Sequence, residues 1–199
     1  MRTDVKRRGW TISAEGNDLA DRFLESVFFT GNGRMGARGY PAYRPIRRPL
    51  DAGLFLAGFY DRISDSTELT DFVNLPTPIW YQIRLNGRIP AIPSHLSRAL
   101  DLRTGLLTFR YRLSIADDWV DVQEQRFFSL AKPSFLFQRL EFQGRGQVEL
   151  LAGMDHQSCN SPIPDDQVKE NTQIIQMTRF CSGEATDAGF TARYKTNHT

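Results

Sequence analysis

The stretch Glu25–Gly39, ESVFFTGNGRMGARG, decides the fold. Gly31, Gly33 and Gly36 follow a strand expected over Ser26–Phe29, with the G-x-G-x-x-G spacing of a dinucleotide-binding turn. That spacing serves a phosphate only when a helix starts behind it and aims its first amides at the anion. Here Gly39 and Pro41 follow at once, and a proline inside a helix removes a hydrogen bond and collides with the preceding turn. No phosphate-binding helix fits. The segment reads as strand, glycine turn, strand.

Outward from this turn the chain alternates. Ile79, Tyr81, Ile83 and Leu85 point one way and Gln82 and Arg84 the other, after which Asn86-Gly87 provides a hairpin turn and Arg88–Ile92 is expected to return. Leu107, Phe109, Tyr111, Leu113 and Ile115 share a face opposite Thr108, Arg110, Arg112 and Ser114, so burying that face fixes the register. Asp117-Asp118 is read as the next turn. Trp119–Ser129 and Phe135–Phe142 then form long strands around the breaker at Ala131–Pro133, and Gly144–Gly146 leads into Gln147–Leu151. Beyond the loop Ser161–Pro164, strands are expected at Ile174–Phe180 and Phe190–Tyr194. Apart from a weak helical period over Leu19–Leu24, no long stretch repeats at 3.6 residues. The pattern predicts an all-β, antiparallel β-sandwich with little helix.

At 199 residues with a net charge of +2, the chain has the size of one all-β domain and lacks a strong basic field. Only four of its 25 basic residues are lysines, a bias that reflects genome composition rather than a nucleic-acid surface. Cys159 and Cys181 are too few for a disulfide scaffold and lack C-x-x-C spacing. No apolar run approaches the about 18 residues of a membrane span, and no leader follows Met1, so the expectation is a soluble cytoplasmic protein without nucleic-acid or membrane partners.

Five segments, in order, resemble the N-terminal domain of glycoside hydrolase family 65, which comprises maltose, kojibiose and trehalose phosphorylases and acid trehalases. Glu25, Ser26, Phe28, Gly31, Asn32, Gly33, Gly36, Arg38 and Gly39 resemble its E-S-x-F-x-x-G-N-G-x-x-G-x-R-G segment. Ala57–Asp61 is similar to its A-G-x-Y strand, and Glu68-Leu69 with Asn74–Pro76 to its E-L-x-N-L-P segment. Leu100–Leu102 with Gly105–Leu107 resembles its L-D-L-x-x-G-x-L hairpin. Arg126–Ser129, and Gly153–Asp155 with Asn160, resemble later segments. One departure is the basic, proline-rich Tyr40–Pro49, where the family usually carries an acidic pair; it points to a different subgroup or an altered specificity. The resemblance implies a supersandwich-like single domain over residues 1–199: an arm at 1–9, the matching segment at 10–160, and an incomplete remainder at 161–199, truncated at its C-terminal end.

The same resemblance implies a function. In the family a glutamate general acid protonates the glycosidic oxygen while inorganic phosphate, or water in the hydrolases, attacks the anomeric carbon from the opposite face. That inverting geometry needs a gap for the nucleophile and an acid with a raised pKa. These groups lie in a following (α/α)6 barrel, so this chain is expected to be a non-catalytic module, inactive alone. Its partners would be that barrel and the disaccharide substrate. It would need no cofactor beyond phosphate as co-substrate, and its open strand edges favour self-association into a homo-oligomer.

The residues themselves agree. Glu25, Asp51, Asp61, Glu68 and Asp71 fall at strand ends and turns, where carboxylates usually satisfy backbone amides. Asp117-Asp118 and Asp165-Asp166 are adjacent pairs that belong to turns. His95, His156 and His198 are scattered, without the spacing of a metal site, and Cys159 reads as a small buried thiol. Asn32 and Arg38 remain as candidates for substrate or domain contact, because flanking glycines let another body approach. Arg38 has two readings: an ion pair with Glu25 across the hairpin, or a place on the face that meets the barrel. The alternative function is a free-standing carbohydrate-binding sandwich, with Trp80, Trp119 and Phe127 as its stacking platform. Single-stranded nucleic-acid binding through Phe109–Arg112 fails, because alternation puts its rings and its cations on opposite faces.

Overall fold

The computed structural model describes residues 4–16, 22–43, 53–58, 60–62, 70–72, 74–75, 77–91, 93, 95–152 and 175–180. The strands are β1 (Lys6–Arg8), β2 (Thr11–Gly16), β3 (Thr30–Gly31), β4 (Met35–Ala37), β5 (Leu54–Leu56), β6 (Tyr60–Arg62), β7 (Thr70–Phe72), β8 (Tyr81–Leu85), β9 (Leu96–Asp101), β10 (Leu106–Ile115), β11 (Asp118–Phe128), β12 (Leu136–Arg145), β13 (Gln147–Ala152) and β14 (Ile175–Phe180), with one helix, α1 (Arg22–Val27). A six-stranded sheet runs β1-β2-β9-β10-β11-β12, and three-stranded sheets run β14-β13-β8 and β3-β4-β5. Every strand pair within these sheets is antiparallel.

Alternation fixes which face is inside. Leu107, Phe109, Tyr111 and Leu113 on β10 lie opposite Arg126, Glu124, Val122 and Val120 on β11, and all eight are buried. They pack with Tyr81, Ile83 and Leu85 of β8 and Val148 and Leu150 of β13, so the core lies between the large sheet and the β8-β13-β14 sheet. Over β10 and β11 the outer face is knitted across strands by polar bonds: Arg112 grips Asp121 at 2.6 and 2.7 Å, and Arg110 donates to Gln123 at 2.7 Å. The chain passes from the large sheet to the small one at Gly146, whose φ of 112° suits glycine and where a Cβ would meet Leu85 and Asn86.

Several expectations shift. Residues 6–8 of the N-terminal arm form the edge strand β1. The strand expected at Ser26–Phe29 does not form: Ser26 and Val27 close α1, Phe28 donates its amide to the Leu24 carbonyl at 2.9 Å in the turn that follows, and the Leu24 and Phe28 side chains enter the core. The i, i+4 spacing that buries Leu24 with Phe28 outweighs the local strand preference of Val27, Phe28 and Phe29. Asn86 and Gly87 adopt the left-handed φ values of 51° and 74° that the turn needs, but Arg88 returns only as a single bridge to Leu85, and β8 takes β13 as its partner. The turn read at Asp117-Asp118 falls one residue earlier, at Ala116-Asp117, since Asp118 already pairs with Ile115. β14 forms where Ile174–Phe180 was expected, whereas Phe190–Tyr194 lies outside the described residues.

Candidate functional site

The glycine-rich segment lies across one end of the large sheet as the β3–β4 hairpin and the strap that follows it. Three of its glycines are close-approach positions: a Cβ on Gly31 would sit 2.9 Å from the Met35 carbonyl, on Gly36 2.6 Å from the Phe29 ring, and on Gly39 2.3 Å from the Phe28 Cβ. The strap is then fastened by backbone bonds from Gly39 to the Glu25 carbonyl at 2.7 Å and from Arg38 to the Gly53 carbonyl at 3.0 Å.

Asn32 sits at the hairpin tip with its side-chain amide fully used. Its Nδ2 donates to the carbonyls of Ser129 and Pro133 at 2.7 and 3.0 Å, and its Oδ1 accepts from the amides of Arg34 and Met35 at 3.0 Å each. It therefore shapes its own turn and clamps the loop between β11 and β12. Arg38 is half-buried, and its carbonyl accepts from the Arg126 guanidinium at 3.1 Å. The Arg38–Glu25 ion pair does not form. Glu25 is helical, so no cross-strand register brings its carboxylate opposite Arg38.

The ion pair that ties the strap down lies beneath it. Arg126 Nη1 is 3.3 Å from Glu124 Oε1, with both side chains wholly excluded from solvent. Glu124 Oε2 accepts from the Ala42 amide at 2.9 Å and the Tyr81 hydroxyl at 3.1 Å, while Gln138 donates to Oε1 at 3.2 Å. Arg126 Nη2 reaches the Tyr40 carbonyl as well as that of Arg38, and its guanidinium lies 5.0 Å from the ring centroids of Tyr40 and Phe109. Tyr81 and Tyr111 share a short hydroxyl–hydroxyl bond, Tyr40 pairs with Thr77 at 3.1 Å, and Tyr43 donates to the Pro90 carbonyl at 2.9 Å.

Burial raises the Glu124 carboxyl above the ordinary glutamate range, against the opposing pull of Arg126 and the hydrogen bonds from Ala42, Tyr81 and Gln138. Burial, reinforced by the nearby Glu124 charge, also raises the Tyr81 and Tyr111 hydroxyls. Perturbed groups of this kind often mark catalytic sites. Here they are sealed and mutually bonded, so no substrate reaches them, and their work is to hold the strap on the sheet. The signal for this pair was present in the sequence: Glu124 and Arg126 interrupt an apolar face with Val120, Val122 and Phe128 at period two.

The three-ring sugar platform is not assembled. Trp80 is buried, Trp119 is half-buried beneath the Arg112 guanidinium at 4.2 Å, and only Phe127 is exposed. Among the described residues, no group of three or more histidine, cysteine, aspartate and glutamate side chains is placed to hold a metal, and no helix is long and apolar enough to cross a membrane. Asp51, Glu68, His156, Cys159, Asp165, Asp166, Cys181 and His198 lie outside the described residues.

Comparison with known proteins identifies the family. Trehalose 6-phosphate phosphorylase of Lactococcus lactis subsp. lactis (strain IL1403) is 25% identical over 123 residues, covering 56% of this chain and 16% of that protein. A putative kojibiose phosphorylase from the human microbiome shares the fold, with a TM-score of 0.65 and 17% identity over 76% of this chain and 22% of its own. The chain thus spans less than a quarter of either relative. The sequence profile of the N-terminal domain of glycosyl hydrolase family 65 matches residues 14–199, so the chain belongs to that family through its N-terminal domain.

Proposed function

We infer that this chain is the non-catalytic N-terminal β-sandwich module of a disaccharide phosphorylase or hydrolase, and that the bond-breaking groups belong to an (α/α)6 barrel. The observation that carries this reading is the pairing of a match to the N-terminal domain over residues 14–199 with coverage of only 16% and 22% of the two relatives. The buried Glu124–Arg126 pair supports it, because this perturbed carboxylate is committed to structure. In this reading the full enzyme splits an α-glucosidic bond in the cytoplasm, with inorganic phosphate as co-substrate if it is a phosphorylase, and the module itself needs no cofactor. Asn32 acts by holding the hairpin and the β11–β12 loop in shape beside the barrel, and the Arg38 guanidinium contributes to the interface.

The purified chain should release no sugar phosphate from maltose, trehalose, kojibiose, nigerose or trehalose 6-phosphate in the presence of phosphate, and no glucose with water. Turnover that persists through repurification and follows this polypeptide would remove the non-catalytic assignment.

A further inference from the structure

The two ends of the six-stranded sheet differ in character. At one end the register aligns Arg8, Thr11, Asp101 and Leu106 across β1, β2, β9 and β10, and continues through Phe127 and Phe137 on β11 and β12. The hairpin tips beyond this line, together with the line itself, expose Trp10 at 60%, Leu102 at 47%, Leu130 at 80%, Phe135 at 52%, Phe137 at 45% and Phe127 at 38%. The opposite end is built from the turns at Asn86-Gly87, Ala116-Asp117 and Gly146. There Asn86 donates to Asp118 at 2.5 Å and accepts from the Gln147 amide at 2.8 Å. One end is apolar and the other is polar and closed on itself.

Water-exposed aromatic clusters are costly in a free-standing surface and mark contact sites. The geometry of the rings indicates what kind. Phe127 and Phe137 stack with centroids 5.2 Å apart and planes 15° apart, Phe135 and Phe137 at 6.1 Å and 20°, and the Lys132 ammonium lies 5.7 Å from the Phe135 centroid. The three rings form one contiguous, partly exposed apolar row, and a protein surface packs against a ridge of this kind. Exposed Arg8, Arg103 and Lys132 rim the ridge and call for an acidic margin on whatever covers it.

We propose that this end, centred on Phe127, Phe135 and Phe137 and steadied by the Asn32 clamp on the β11–β12 loop, is the docking face for the catalytic domain of the larger enzyme. The proposal rests on the module reading above, under which less than a quarter of the enzyme is in hand and a large body remains to be seated.

The test grafts the 199-residue chain in place of the matching segment of the Lactococcus lactis relative and follows unfolding by calorimetry. The unsubstituted graft should melt in one coupled transition. Phe127→Ser with Phe137→Ser should split it in two, while Asp117→Ser at the polar end should not. In the isolated chain the same double substitution should move the midpoint by no more than about 6 °C, the cost of one stacked cross-strand ring pair. A larger shift there would make the rings part of the sandwich's own packing and overturn the proposal. Coupling that survives the double substitution would also overturn it while leaving the module reading intact. A graft whose unsubstituted form already melts in two independent steps would remove the module reading itself.

Discussion

Glu124 and Arg126, two residues apart on β11, pair at 3.3 Å on the buried face of the large sheet, with neither side chain reaching solvent. Strand geometry forces the association, because residues i and i+2 share a face. The pair is useful because Glu124 Oε2 accepts from the Ala42 amide and Arg126 Nη2 donates to the Tyr40 and Arg38 carbonyls, which fastens the strap carrying the glycine hairpin onto the sheet.

Breaking this pair should cost more than deleting it. Arg126→Leu leaves a buried carboxylate without its cation and should destabilise by about 3–5 kcal/mol, as should Glu124→Leu for the converse reason. The double substitution should cost clearly less than the sum of the two. Urea denaturation of the four proteins measures the coupling, and additive losses would show that the two charges are energetically independent.

The raised Glu124 carboxyl predicts a pH trend with a definite sign. The unfolded chain releases this proton near the ordinary glutamate value of about 4.3, before the folded chain does. Between that value and the raised one, the native state holds more protons. Its stabilising contribution is therefore complete below the unfolded value and declines as pH rises through the folded one. Glu124→Gln should remove this component from the pH–stability curve, and an unchanged curve would place the titration elsewhere.

Asn32→Ala should lower stability by about 1–3 kcal/mol, through the loss of its bonds to two carbonyls and two amides. The β11–β12 loop should become the preferred site of limited proteolysis. Asn32→Asp should be no milder, because it turns a carboxylate toward the Ser129 and Pro133 carbonyls.

Gly39→Ala places a methyl 2.3 Å from the Phe28 Cβ and 2.5 Å from its carbonyl oxygen, and should cost about 1–3 kcal/mol or more from overpacking. Arg38→Ala, one residue away, should stay within about 0.5 kcal/mol, since the network uses the Arg38 carbonyl rather than its guanidinium. Chemical denaturation of the two variants side by side makes the comparison.

Much of this was legible in the chain. The alternation from Leu107 to Ile115 and through β11 determined the strands, their inner faces and the all-β class, because a period of two admits one buried face and a one-residue slip would expose it. Pro41 and Gly39 behind the glycine turn excluded a phosphate-binding helix for equally local reasons. Tertiary structure alone decided the rest. Phe28 became part of a helical turn because the core needed it beside Leu24. β8 found β13, about 60 residues further along the chain, as its partner, and Asn32 spent its amide on carbonyls near residue 130. Arg126, rather than Arg38, became the cation of the buried pair. These choices depend on contacts between segments far apart in sequence, whose energies appear only when both sides are in place, so no local pattern could announce them.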